Sequence, residues 1–366
     1  MFIIFVAHVP GNPWFLFIPA RFGFSSAAEL FVFASGVASG FAFGGVFIRA
    51  GFLAGTLRVV HRLWQVYWAH VGLFLTMTAA SAAGLALTGI DYPVLLGLQT
   101  FLADPASGVL DFMRLRFIPN FNDILPLYMV LLAMIPLVMG LAAVSPRLAL
   151  GSSLLLWLVA HVGHLNFPAG NIEQTAWYFS PFAWQMLFFT GFAFARGWLP
   201  AVTLARGRLF WLCTACLIIS VPLNFWAVLD AFPAIDAFRN LILPEGNQMY
   251  LSPLRLLHFL ALAYVALVLV EPVRDQLWRA RAIITVGQQS LPSFLASTSL
   301  TWVAGMVLDQ TGRGLAAASL VNLAGFGAII LTARVAAFFK APPWQGGPDR
   351  RARGAEAPQA LPRLQM

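Results

Sequence analysis

Apolar runs long enough to cross a membrane recur along the whole chain, and they constrain its fold more than any single motif. About 20 apolar residues cross a bilayer as a helix. Such runs, some shorter, lie near residues 1–9, 27–48, 63–88, 124–144, 148–165, 182–199, 207–229, 253–271, 283–307 and 315–339. Only 10% of the 366 residues are charged, too few to cover a water-exposed surface. The sequence predicts an all-α integral membrane protein with about ten transmembrane helices.

Basic residues divide unevenly between the two sets of predicted loops. One set, with the C-terminal tail, holds 16 of the 22 Lys and Arg residues, and such an excess marks the cytoplasmic side. Both termini are therefore predicted to be cytoplasmic. Residues 1–340 form the predicted transmembrane domain, and residues 341–366 a disordered tail rich in Pro, Gly and Arg. Because the basic residues are scattered in short loops, the net charge of +8 does not indicate a nucleic-acid partner.

His8 places a titratable imidazole within the first apolar run. Such groups are costly at membrane depth and usually serve catalysis or transport. Pro10 and Pro13 break the helix just after it, and open backbone is tolerated there only beside protein or a water-filled cavity. The run is short, so it is either half a span or the remainder of a helix that begins upstream of Met1. It lacks the charged start and cleavage site of a signal peptide.

Glu29 follows at the start of the second run and has two interpretations. The helix dipole favours a carboxylate there, so Glu29 can be an N-terminal cap. Alternatively, it can steady the imidazolium formed when His8 takes a proton from a hydroxyl group.

A stripe of small residues, Gly36, Gly40 and Gly44, follows in the same run. Such spacing lets two helices approach closely. The alternative is that the stripe lines a narrow channel for a substrate.

The remaining polar residues of the apolar runs fall into two predicted layers. Arg58, His61 and Arg62 lie at the inner side, where they are either positive-inside anchors or ligands for phosphate groups. The outer layer contains Trp184, Gln185, Arg255 and His258, together with His161 and His164, for which bonding to interfacial carbonyl groups is an equal alternative. A base outside and cations inside suit transfer from a cytoplasmic phosphorylated donor to an outer hydroxyl, although a proton-coupled transporter has the same pattern.

Cys213 and Cys216 form a CxxC pattern inside one apolar run. No other Cys and no nearby His completes a metal site. We therefore predict two buried thiols and no metal.

Five separated segments resemble the OpgC family, in the family's order and over nearly all of the chain up to about residue 331. They are His8-Val9-Pro10-Gly11-Asn12, Phe22-Gly23-Phe24-Ser25 with Ala28-Glu29-Leu30-Phe31-Val32, Phe121-Asn122-Asp123-Ile124-Leu125-Pro126-Leu127-Tyr128, Ser180-Pro181-Phe182-Ala183-Trp184-Gln185 and His258-Phe259-Leu260-Ala261-Leu262-Ala263.

This resemblance implies a succinyltransferase of the bacterial inner membrane that modifies osmoregulated periplasmic glucans, with a bundle similar to that of membrane acyltransferase family 3. In that wider family a His on the first helix is catalytic, and Arg residues near the start of the third helix are implicated in donor binding. The resemblance thus implies that His8 is the base, with Glu29 as its neighbour. It also implies that Arg58, His61 and Arg62 bind the acyl-CoA donor.

The expected partners are succinyl-CoA as a cosubstrate, the glucan acceptor and membrane lipid, with no permanently bound cofactor. We expect acceptor or acyl-carboxylate binding from Asn12, Trp184, Gln185, Arg255 and His258. Trp14 and Trp177 are further faces on which sugar rings can stack, and Arg21 is a further cation for the carboxylate.

The chain departs from the family pattern at its start. Family members usually carry a charged stretch with Arg and Asp before the first helix, and it is missing here, so we expect a truncated first helix. Two other functions stay open: a transporter or flippase of a glycan or small anion, and an acetyltransferase of another surface glycan. The first would show inverted repeats, and no repeat of the His8 segment is seen in the second half.

Overall fold

The fold, seen in a computed structural model, is helical throughout the described residues 1–170, 175–200, 202–244 and 246–340. The predicted tail, 341–366, lies outside them. These ranges contain no β-strand, only an isolated bridge between Pro168 and Ala176. The α-helices are α1 Phe2–His8, α2 Ala27–Ser39, α3 Gly45–Arg49, α4 Gly51–Thr88, α5 Tyr92–Leu95, α6 Gln99–Ala103, α7 Pro105–Met113, α8 Ile124–Val144, α9 Pro146–Val162, α10 Pro181–Arg196, α11 Arg208–Ser220, α12 Trp226–Ala231, α13 Pro233–Ile242, α14 Pro253–Val270, α15 Arg274–Leu277, α16 Arg281–Gln288, α17 Ser290–Thr311 and α18 Leu315–Lys340.

Six helical segments of the described chain are long and apolar enough to cross a membrane. They are Ala27–Arg49, Gly51–Thr88, Ile124–Val144, Pro253–Leu277, Ser290–Thr311 and Leu315–Lys340. The helices α9 and α11 are apolar but shorter. The all-helical fold and its multi-pass character therefore agree with the sequence-based prediction, whereas the count of ten crossings is not confirmed.

Several predicted boundaries differ from the observed ones. The run expected over 207–229 ends as a helix at Ser220, and a separate short helix follows at Trp226–Ala231. The helix expected over 63–88 begins at Gly51, so Arg58, His61 and Arg62 lie within α4 rather than before it. The run expected over 283–307 is divided between α16 and α17 at Gln289, whose φ of −102° and ψ of 47° are not helical. Gly287 and the polar residues that follow it favour the interruption, since Gly is a poor helix former.

The chain divides into two compact units. One unit comprises Met1–Phe15, Pro200–Leu212 and Tyr264–Met366, and we call it the terminal unit. The other comprises Leu16–Leu199 and Cys213–Ala263, and we call it the central unit. Each is described by itself.

The glycine stripe of the central unit packs against α10. A Cβ atom added to Gly36 would lie 2.0 Å from the carbonyl oxygen of Phe188, and one added to Gly40 would lie 2.8 Å from that of Phe192. From α10, Gly191 approaches the carbonyl oxygen of Phe33 in the same way. The backbones meet directly, so the stripe is a packing seam, as small residues in membrane helices often are, and it is not an open channel wall.

In the terminal unit, α1 packs against α17 and α18. The ring of Phe5 fills the space that a side chain at Gly325 would need, and Pro10 does the same at Gly305. This close packing holds the short α1 in place, although its 7 residues are too few to cross a bilayer.

Candidate functional site

A polar cavity of about 270 Å³ lies within the central unit. Three arginines contribute to its wall, Arg21, Arg239 and Arg255. The other lining residues are Ala20, Gly23, Phe24, Ser25, Ser26, Asn224, Trp226, Leu229, Leu243, Asn247 and Gln248. Such a concentration of guanidinium groups favours an anionic ligand.

Glu29 and Arg255 form a buried ion pair beside this cavity. Arg255 Nε donates to Glu29 Oε1 at 2.8 Å, and Nη2 lies 2.5 Å from the same oxygen. Glu29 is fully buried and Arg255 nearly so. The pair accounts for the charge of Arg255, and Arg21 and Arg239 add two further guanidinium groups to the wall.

The start of α2 fixes Glu29 through a capping box. Ser26 is the N-cap, and both its backbone N–H and its hydroxyl donate to Glu29 Oε2 at 2.8 Å. The Ser26 hydroxyl in turn accepts from the backbone N–H of Ala28. The Ser-x-x-Glu spacing encodes this arrangement, so Glu29 takes part in the N-terminal capping of α2, as one of its two interpretations predicted. Its role as the neighbour of His8 stays a prediction.

Loop segments of the central unit hold the other cavity residues in place. The side-chain amide of Asn224 donates to the carbonyl oxygens of Ala20 and Gly23, each at 2.8 Å. Arg239 lies on α13 and donates to Asn240 Oδ1 at 3.0 Å. Arg255 Nη1 contacts Asn247 Oδ1 at 3.4 Å. These hydrogen bonds fix the cavity wall before any ligand binds.

His258 lies one turn after Arg255 on α14, with both ring nitrogens engaged. Nδ1 is 2.8 Å from the hydroxyl of Ser25, and Nε2 is 3.1 Å from the hydroxyl of Ser220. Ser25 lines the cavity. The structure therefore brings together three of the predicted site residues, Glu29, Arg255 and His258.

A second buried carboxyl group, Asp123, extends this charged region. Desolvation raises its pKa from 3.8 to about 7. Burial also raises the pKa of the Tyr178 phenol; the charges of Asp123 and Glu29 raise it further, and the charge of Arg255 lowers it. The charges of Asp123, Glu29 and Arg255 therefore all act on Tyr178 within the central unit.

The predicted donor-binding residues lie on an exposed face of α4. Arg62 Nη1 donates to Gln65 Oε1 at 3.1 Å, and Gln65 Nε2 lies 3.0 Å from His61 Nε2. Arg58 is exposed one turn earlier. Because residues four apart share a helix face, Arg58 and Arg62 lie on the same side of α4. We call Arg58, His61, Arg62 and Gln65 the α4 patch.

His8 is the last residue of α1 in the terminal unit and is partly buried. Asn12 follows it and is buried, exchanging two amide hydrogen bonds of 2.8 and 3.1 Å with Asn322 on α18. The pair fixes the turn after His8, so Asn12 acts in packing, and its expected role in acceptor binding is untested.

The assignment of Trp184 and Gln185 to acceptor binding is not supported. Trp184 is fully buried, and its indole N–H donates to the carbonyl oxygen of Gln248 at 2.9 Å. Gln185 is buried and bonds to Ser153. Trp177 is buried as well. In a sequence, a large amphipathic side chain in an apolar run looks the same whether it lies at a surface, where a sugar ring could stack on it, or in the interior. Here the polar atoms of Trp184 and Gln185 form hydrogen bonds inside the protein.

Sequence reasoning missed Arg239, Ser25 and Gln65. Arg239 lies on a short helix between spans, where periodicity gives no signal. Ser25 immediately precedes the capping motif at Ser26, which could have marked this position as the end of an ordered loop. Gln65 lies four residues after His61, a spacing that places both on one helix face.

The described residues contain no group of three His, Cys, Asp or Glu side chains that could hold a metal ion.

Cys213 is partly buried and Cys216 exposed, so the expectation that both thiols are buried is wrong for Cys216. The candidate site is the arginine-lined cavity together with the hydrogen-bonded pair Ser25 and His258.

The comparisons with known proteins identify the family. The family model described as OpgC protein matches residues 1–341. No curated protein and no solved structure matches the chain. The chain therefore belongs to the OpgC family, and this membership indicates a glucan succinyltransferase role in a membrane protein.

Proposed function

We propose that this protein transfers a succinyl group from cytoplasmic succinyl-CoA to a glucose hydroxyl of a periplasmic glucan in the bacterial inner membrane. Family membership supports the reaction class. The arginine-lined cavity is the observation that favours succinyl over acetyl, because succinyl ends in a free carboxylate and acetyl does not. Arg255 is already paired with Glu29, so Arg239, which lines the same cavity, is the proposed partner of that carboxylate.

The remaining roles follow the sequence-based assignments. The α4 patch is the proposed binding surface for the phosphate groups of the donor, because Arg58 is exposed, Arg62 is partly exposed and the two lie on one helix face. Trp226 lines the cavity and is about half exposed, so it replaces Trp184 as the proposed stacking face for a sugar ring.

His8 is the proposed general base, accepting the proton of the glucan hydroxyl. Replacement by Ala should lower transfer by roughly 10²–10⁴-fold, the usual contribution of such a base. The measurement is the rate of glucan succinylation by purified protein in detergent. Near wild-type activity in well-folded His8→Ala protein would refute this assignment.

The overall reaction is tested in cells. Periplasmic glucans from cells with and without this protein are compared by mass spectrometry. Succinyl esters that appear only with the protein support the proposal. Acetyl esters instead would favour the acetyltransferase alternative, and unmodified glucans in both strains would contradict acyl transfer to this acceptor.

A further inference from the structure

The hydroxyl of Ser25 in the cavity wall lies against the imidazole of His258, and the proposed function does not use this contact. Ser25 Oγ is 2.8 Å from His258 Nδ1. Ser220 Oγ is 3.1 Å from His258 Nε2. The three residues form a chain of hydrogen bonds within the central unit.

The partners of Ser220 define the direction of this chain. The Ser220 hydroxyl donates its only proton to the carbonyl oxygen of Leu217 at 2.7 Å. Its oxygen can therefore only accept from His258, so the proton of the neutral imidazole is on Nε2. Nδ1 then has a free lone pair and accepts the proton of the Ser25 hydroxyl. This is the arrangement that activates a serine for nucleophilic attack.

The surroundings of Ser25 suit such a role. Its side chain is buried yet lines the cavity. Arg239 lines the same space, and its positive charge would stabilise an oxyanion formed at an attacked carbonyl group.

Gly23 secures the position of the imidazole. A Cβ atom at residue 23 would lie 2.4 Å from His258 Nε2, so only glycine leaves room for the ring. Asn224 holds the Gly23 carbonyl group at 2.8 Å. The contact between Ser25 and His258 thus depends on a close approach that the loop sequence permits.

We propose that Ser25 is a nucleophile that carries the acyl group as an ester before it reaches the acceptor, with His258 as its base. The identity of the acyl group and of its thioester donor rests on the proposed function. The activation of Ser25 does not, because it follows from the hydrogen bonds alone.

The transfer then has two steps. In the first, Ser25 Oγ attacks the thioester carbonyl carbon, His258 Nδ1 takes the serine proton, and the C–S bond breaks to release the CoA thiolate. In the second, the acceptor hydroxyl loses its proton to a general base and attacks the ester carbonyl. The ester bond to Ser25 breaks, and the imidazolium returns its proton to Ser25 Oγ. The proton on the general base finally neutralises the thiolate, so thioester and alcohol become ester and thiol.

The test is covalent labelling of the purified full chain in detergent. A fluorophosphonate probe phosphonylates activated hydroxyl groups, and succinyl-CoA labelled in its acyl group is supplied without acceptor in a parallel sample. We expect both labels on the peptide that contains Ser25. Both should be absent from Ser25→Ala and formed at least 100-fold more slowly in His258→Gln, as loss of a general base predicts.

Three further variants guard against misfolding. Ser107→Ala removes an exposed serine on α7 and should label as the wild type does. Ser25→Cys keeps a nucleophile and should accumulate a thioester that hydroxylamine cleaves. Gly23→Ala should reduce labelling by displacing the imidazole while leaving Ser25 in place.

The outcomes separate this inference from the proposed function. Glucan succinylation at the wild-type rate by Ser25→Ala would overturn the serine intermediate and leave the proposed function intact. If the wild type transfers no succinyl group, fluorophosphonate labelling that requires Ser25 and His258 still supports the activated serine. Absence of that labelling from folded wild-type protein overturns it.

Discussion

The cavity and the α4 patch both present arginines, but they hold them in opposite ways. In the cavity, Arg255 is buried and fixed by Glu29 at 2.5 Å. On the α4 patch, Arg58 and Arg62 are more exposed, and Arg62 donates a 3.1 Å hydrogen bond to Gln65. A buried charge needs its partner for the fold to be stable, whereas an exposed one contributes little to stability. The cavity charges are therefore expected to serve both fold and specificity, and the patch charges binding alone.

The largest expected effect is loss of the carboxylate that fixes Arg255. Glu29→Ala leaves a buried guanidinium group without its counter-ion and removes the helix cap. Breaking such a pair costs about 3–5 kcal/mol, so the thermal transition in detergent should fall sharply. Gln65→Ala on the α4 patch is the matched control and should melt like the wild type. Equal melting temperatures of the two variants would contradict the expected difference in stability between the cavity and the α4 patch.

A smaller effect is expected for an arginine that lines the cavity without pairing with Glu29. Arg239→Ala should lower kcat/KM for succinyl-CoA by roughly tenfold to a hundredfold, the value of a hydrogen bond to a charged group. Transfer from acetyl-CoA, if measurable, should change little because acetyl has no carboxylate. A parallel loss with both donors would show that Arg239 does not recognise the carboxylate.

Substitutions in the α4 patch should change the binding of the donor, and not catalysis or stability. The double variant Arg58→Ala, Arg62→Ala should raise KM for succinyl-CoA by roughly tenfold or more, with kcat and melting temperature close to those of the wild type. Added salt should weaken donor binding to the wild type more than to the variant, since exposed charges are screened. Unchanged affinity for a non-hydrolysable CoA analogue would place donor binding elsewhere.

The last prediction concerns the pH dependence of stability, to which the Asp123 carboxyl group contributes. Desolvation raises its pKa from 3.8 to about 7, so the folded protein retains this proton over a range in which the unfolded chain loses it. Stability from this group is therefore highest at the acid end and declines as the pH rises from about 4 to about 7. Melting temperatures of the wild type should show this decline, and those of Asp123→Asn should show less of it.

The sequence predicted the helices of this fold better than its site. Apolar runs located nearly every long helix because membrane helices must satisfy their backbone internally. The start of α4 was missed because its first turns carry charges. At 38 residues the helix is about 57 Å long, well beyond a hydrocarbon core of about 30 Å, so apolarity alone could not mark its beginning.

The site depended on contacts between distant segments. Arg255 and His258 were identified from their spacing on one helix, but their partners Glu29 and Ser25 lie more than 200 positions earlier. Trp184 was misassigned because aromatic side chains look alike in sequence whether they line a surface or fill the interior. The capping box at Ser26 was the one local pattern that could have fixed Glu29 in advance.

The central claim is that succinyl passes from a donor on the side of the α4 patch to an acceptor on the opposite side. The most direct test reconstitutes the protein in liposomes with one orientation, supplies succinyl-CoA to one face only and places glucan on the other. We predict succinylated glucan only when the donor is on the face that bears the α4 patch and the glucan is opposite. Product formed only when donor and glucan share a compartment would contradict transfer across the bilayer.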